Sequence, residues 1–125
     1  LSEEQRTEIN KMLVSYFQNS SVGMTRDQYF EMCEALGNEP TDEEIPVEMD
    51  DFPDMVQEAI GVYYKLRDEW DTFNGNYMGK SYVGLADILD ILEIEKCDRK
   101  YILDWVSIMD STRHKIINAQ KPKSD

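Results

Sequence analysis

Apolar residues recur at intervals of three and four along most of the chain, the spacing of helices that each bury one face. Ile9, Met12, Leu13, Tyr16 and Phe17 make the first stripe; Tyr29, Met32, Cys33 and Leu36 make the second. Each is preceded by a capping box, Ser2 with Gln5 and Thr25 with Gln28, in which a hydroxyl and an amide satisfy early backbone N–H groups reciprocally. Helices are therefore expected over about 3–19 and 26–36, folded back on each other as a helical hairpin, with Gly37 stopping the second.

Beyond Gly37 the pattern breaks. Residues 38–52 hold Pro40, Pro46, many acids and scattered apolar positions, which predicts an extended acidic linker anchored by Ile45 and Val47. Pro53 fits the first turn of a third helix. Met55, Val56, Ala59, Ile60, Tyr63, Leu66 and Trp70 continue at helical steps, so this helix is expected to run over about 53–73. Gly75, Gly79 and Gly84, set among Tyr77, Met78, Tyr82 and Val83, predict an ordered loop over 74–84. Leu85, Ile88, Leu89 and Leu92 give a fourth helix (84–94). Ile102, Trp105, Val106, Met109, Arg113, Ile116 and Ile117 give a fifth (98–119), and Lys121, Pro122 and Lys123 mark a frayed tail over 120–125. The fold class expected is all-α: a compact bundle of about five helices forming a single domain over 1–125.

Charge sharpens this picture. The 125 residues include 26 acids and 13 bases, a formal net charge of −13. Residues 1–40 carry a net −4, residues 41–74 a net −9, and residues 75–125 none. Asp42, Glu43, Glu44, Glu48, Asp50, Asp51, Asp54 and Glu58 form a run with no base among them. Such a surface repels nucleic acid and anionic membranes and attracts a basic protein. No apolar run is long enough to span a bilayer, and the beginning of the sequence lacks the pattern of a signal peptide. Two cysteines without a metal-binding spacing, Cys33 and Cys97, fit reduced thiols and a cytoplasmic setting, or a host cytoplasm or virion if the protein is viral.

The motifs for catalysis and cofactors fail on spacing. Gly75-Asn76-Tyr77-Met78-Gly79-Lys80-Ser81 has three residues between its glycines where a phosphate-binding loop needs four, and it follows a helical pattern instead of a strand. The acidic stretches lack the alternating ligands, central glycine and final glutamate of a calcium loop. Asp87 and Asp90 read as a solvated helix side. His114 is the only histidine; Asp110, four residues earlier, can share its helix face, an arrangement common in ordinary helices. Cys33 lies in an apolar stripe beside acids, and Cys97 lacks a base. No catalytic, metal or cofactor residues are assigned.

The functional expectation is a noncatalytic protein-binding module, an adaptor, assembly factor or inhibitor. Its acidic side would be Glu48, Asp50, Asp51, Asp54 and Glu58, and its contact side chains Tyr64, Phe73, Tyr77, Lys80 and Tyr82. Three alternatives are a small structural component of a virus or phage, a nucleic-acid mimic that occupies a DNA- or RNA-binding protein, and a small enzyme using paired carboxylates. A homo-oligomer is a further expectation, opposed by the concentration of like charge.

Overall fold

The computed structural model describes residues 2–42 and 44–119; Glu43 of the acidic run and the tail over 120–125 lie outside them. The described chain is predominantly helical, with five α-helices and one small two-stranded antiparallel sheet. It divides into two compact units, Leu1–Phe52 and Pro53–Asp125.

In the first unit, α1 (Glu3–Val22) and α2 (Arg26–Leu36) each begin with the capping box read from the sequence and end on a glycine in the left-handed region, Gly23 and Gly37. Ile9, Leu13, Phe17, Tyr29, Cys33 and Phe52 are buried. The segment after α2 is tied down by side chains of α2. The Tyr29 hydroxyl donates to Glu44 (3.2 Å) and accepts from the Thr41 backbone N–H (3.2 Å). A 3-10 turn follows at Met49–Asp51, and Phe52 packs edge-on to Tyr16 with ring centroids 5.7 Å apart. Pro46 and Phe52 are buried, whereas Ile45 and Val47, the expected anchors, are only partly covered.

In the second unit, α3 (Asp54–Lys65) packs along α5 (Arg99–Ala119), and the short α4 (Leu85–Ile91) packs against α3. Val56, Ala59, Ile60, Val62 and Tyr63 from α3 meet a core that includes Ile102, Trp105, Val106 and Met109 from α5, all buried. Full burial of a Val, Ile or Met side chain among these contributes about 1.5–3 kcal/mol.

Two expectations are corrected in this unit. The third helix ends at Lys65 instead of near Phe73, and the loop expected over 74–84 contains a strand. Strand β1 (Asp68–Trp70) pairs antiparallel with β2 (Tyr77–Lys80), with an irregularity in register between Glu69 and Trp70. The helical spacing of Leu66 and Trp70 is coincidental: Leu66 adopts an extended backbone, and its carbonyl accepts from the Lys80 ammonium at 2.9 Å. A cation at the last turn of α3 also complements the negative end of the helix dipole. The fourth helix is shorter than expected and closes on Glu93, a non-glycine residue at φ 56°.

Candidate functional site

The feature of the second unit that its sequence pattern least anticipates is the hairpin formed by β1, β2 and the turn between them. The turn is built by Asp71, whose carboxylate accepts the backbone N–H groups of Phe73 (2.8 Å) and Asn74 (3.3 Å). Gly75 takes φ 71°, its N–H reaches the Asp71 carbonyl, and Asn74 accepts from the Asn76 N–H at 2.9 Å. Gly suits this place because it tolerates the left-handed backbone, and Asn because its side chain hydrogen-bonds locally.

Two sets of interactions fasten the hairpin to the helices. In the first, a single oxygen of Asp68, Oδ1, accepts from the Tyr77 hydroxyl at 2.7 Å, from Arg113 Nη1 at 2.7 Å and from Lys80 Nζ at 3.0 Å. The Lys80 ammonium also lies 4.6 Å from the Tyr63 ring centroid, and the Arg113 guanidinium 5.1 Å from that of Tyr77. Partial burial works against ionisation of Asp68, but the combined donation from Tyr77, Arg113 and Lys80 outweighs it and holds the carboxyl below its usual value. Burial, reinforced by the adjoining Asp68 carboxylate, pushes the Tyr77 phenol upward, so this hydroxyl stays a proton donor.

In the second set, Asp110 of α5 accepts the Lys80 backbone N–H at 2.9 Å and the Tyr82 hydroxyl at 3.2 Å. The approach requires Gly79, which sits at φ 96°, where a Cβ would stand 3.1 Å from both carboxylate oxygens of Asp110. His114, the potential partner of Asp110, lies edge-on to Tyr77 with ring centroids 5.8 Å apart. No hydrogen bond joins Asp110 to His114 among the described residues, so both side chains are placed around the hairpin and not against each other as an acid–base pair.

The residues expected to bind a partner fall into three groups. Tyr77 and Lys80 are buried, at 1% and 8% exposure, and belong to the fastening network. That is a correction: the only base in a loop of tyrosines and glycines serves an internal carboxylate and a helix end. Glu48 and Asp51 are also engaged internally. Glu48 accepts the Arg26 backbone N–H at 3.2 Å, and Asp51 forms an ion pair with the Arg26 guanidinium, a base contributed by α2 from outside the acidic run. Asp50, Asp54, Glu58, Tyr64, Phe73 and Tyr82 are exposed.

Two other hairpin side chains, Trp70 and Met78, are also exposed. Trp70 is half exposed beside the buried Tyr77 ring, 4.8 Å between centroids, and Met78 is 59% exposed. Phe73, at the turn, is 99% exposed. The sequence signal for this hairpin is the Asn74-Gly75 pair, which marks a turn when strand-forming residues flank it. Arg113, assigned to the apolar stripe of the last helix, gave no sign of an ionic role.

An open cleft of about 320 Å³ in the first unit is lined by Tyr16, Met24, Pro46, Val47 and Met49 among others, with Glu48 its one carboxylate. Among the described residues, no group of three or more His, Cys, Asp or Glu side chains is placed to hold a metal ion, and no helix is long and apolar enough to cross a membrane. Comparison with protein-family patterns, characterised proteins and solved structures finds no significant match to this chain.

Proposed function

We propose that this chain is a noncatalytic protein-binding module that presents its β1–β2 hairpin to a basic partner surface. The observation that carries the reading is the contrast between the buried and the exposed side chains of the hairpin. Tyr77, Gly79 and Lys80 are buried and fastened to α5 and α3, while Phe73 and Met78 are exposed and Trp70, packed on the Tyr77 ring, is half exposed. Large apolar side chains on a restrained backbone lose little further freedom on association, and their burial contributes about 25 cal/mol per Å². Aromatic and Met side chains are also enriched at the centres of protein interfaces.

Charge selects the class of partner. Within the second unit, residues 53–74, which include β1 and the turn, hold five acids and two bases, a net −3, and Glu69 is exposed within β1. Exposed Asp54 and Glu58 add to a field that favours encounter with a basic protein and disfavours nucleic acid.

The test is capture of partners from extract of the source cells, comparing wild type with Phe73→Ala/Met78→Ala and with Asp54→Asn/Glu58→Gln. Both double variants alter exposed positions and are expected to retain the wild-type circular dichroism spectrum. Loss of a specific basic partner with the first pair, and weaker, more salt-sensitive capture with the second, is the expected result. Unchanged capture by the Phe73 and Met78 variant would remove the hairpin from the interaction.

A further inference from the structure

Helix α3 contains a glycine that its own fold does not require. Gly61 lies mid-helix with an ordinary negative φ, and a Cβ added there meets nothing within 4 Å. Glycine weakens a helix interior relative to alanine, so the position gains nothing in the isolated fold from lacking a side chain. At 100° per residue, Gly61 falls in the middle of the exposed arc of α3. Asp54, Glu58 and Lys65 lie within about 60° on one side, and Gln57 and Tyr64 within about 60° on the other. Asp54, Glu58, Tyr64 and Lys65 are exposed, whereas Val56, Ala59, Ile60, Val62 and Tyr63 face the core.

The charges on this arc have an order. Glu58 precedes Gly61 by three residues and Lys65 follows it by four, about 10 Å apart along the axis and too far to pair with each other. Neither makes an ion pair among the described residues. A basic partner laid here would meet Lys65 as well as the acids. A second α3 in antiparallel orientation, related by a twofold axis beside Gly61, instead sets each Glu58 against the Lys65 of the other copy. The absent side chains at Gly61 let the two backbones approach, and Tyr64 adds apolar area one turn away.

We infer that α3 is a self-association surface, through which two copies of the chain pair antiparallel across Gly61 with reciprocal Glu58–Lys65 ion pairs. The surface is separate from the hairpin, so each molecule of the pair keeps its own Trp70, Phe73 and Met78. The net charge of −13 on each copy opposes association and makes the dimer weak. At roughly 0.15 M ionic strength, charges more than about 8 Å apart are largely screened, which leaves the local pairs to decide the register.

Sedimentation equilibrium of the full chain up to about 1 mM at this ionic strength tests the inference. Wild type is expected to reach a monomer–dimer equilibrium. Glu58→Lys sets like charges opposite each other and should weaken dimerisation about tenfold or more, and adding Lys65→Glu in the same chain should restore it. Gly61→Gln should also give monomer while retaining full helical circular dichroism. A wild type that stays monomeric overturns the proposal, as does a dimer indifferent to Glu58→Lys or a charge-swapped double variant that folds but does not re-associate. If partner capture by the hairpin fails while this pattern holds, only the hairpin reading falls.

Discussion

Asp68 bears more of the second unit's organisation than any neighbouring carboxylate, because Tyr77, Arg113 and Lys80 all converge on its Oδ1. The Lys80 side chain is only 4% exposed, so removing its counter-charge leaves a shielded ammonium with neutral partners: the Leu66 carbonyl, the Tyr63 ring and, farther off, the Tyr64 ring. Asp68→Asn is expected to cost about 2–3 kcal/mol in urea unfolding, at or below the lower end for a broken buried pair because Asp68 itself is partly solvated. The pH dependence has a definite sign. The folded carboxyl titrates below its ordinary value of 3.8, so its contribution is complete above that pH and is lost as pH falls through the lower folded value. Wild type should therefore lose stability below about pH 4 more steeply than Asp68→Asn, measured as the urea midpoint against pH. Parallel curves would show that the three donors do not hold the ionised form.

A second residue-scale effect lies at the end of α4, where Glu93 closes the helix at φ 56° with its N–H on the Asp90 carbonyl and the Ile94 N–H on the Leu89 carbonyl. That place in a helix C-terminus usually belongs to glycine, which has no Cβ to crowd the backbone. The Glu93 side chain is exposed, so Glu93→Gly removes little packing and should raise stability by about 0.5–1 kcal/mol. A lower thermal midpoint would mean that the Glu93 side chain contributes more than the backbone conformation costs.

Elements differ in how directly their own residues specify them. Helices α1 and α2 carry paired starts and glycine stops in one short span, so side-chain capping and periodicity agree and the capping boxes form. The α3–β1 junction is different: Leu66 and Trp70 keep the helical interval, yet the chain leaves the helix because Lys80, fourteen residues on, holds the Leu66 carbonyl, and because β1 has a strand to pair with. A local reading sees the interval and not the distant competitor. The same limit applies to the fastening network: Asp68 and Lys80 meet through the pairing of β1 with β2, and Arg113 joins them only because the hairpin docks on α5. Asp50, Asp54 and Glu58 stand out in the sequence by charge and Phe73 as an aromatic, and all four are exposed; burial of Tyr77 and Lys80 is not legible there, because it depends on α5. Gly79 tests the docking of the hairpin as an element. In Gly79→Ala the new methyl meets the Asp110 carboxylate on a backbone at positive φ. The cost should be about 2 kcal/mol, with faster amide exchange concentrated in β1 and β2. Uniform loss of protection along α5 would instead show that the hairpin and α5 unfold together.

For the whole molecule the question is whether ion pairs or net charge dominates the electrostatic part of stability. The described residues form four ion pairs, and most of the participating side chains remain partly solvated. Exposed pairs contribute about 0–1 kcal/mol each and are weakened by salt, while Lys80 and Asp68 are better shielded from it. Against them stand 26 acids and 13 bases, an excess that repels itself in the folded state and is relieved when the chain expands. Salt weakens both the attraction and the repulsion, so the direction of its effect shows which is larger. The excess of 13 negative charges outweighs four pairs of which only one contains a buried group. Raising sodium chloride from about 0.01 to 0.5 M, which shortens the screening length from about 30 Å to a few Å, should therefore raise the thermal midpoint by a few degrees. Chloride is preferable to sulfate, whose exclusion from protein surfaces would raise the midpoint for an unrelated reason. Asp54→Asn/Glu58→Gln removes two of the excess charges from the start of α3, where negative side chains also favour the helix dipole. This variant should have a smaller salt response than wild type even if its midpoint in low salt is no higher. A midpoint that falls with salt would reverse the assignment, making the Arg26, Lys80, Arg99 and Arg113 pairs the dominant electrostatic contribution to the fold.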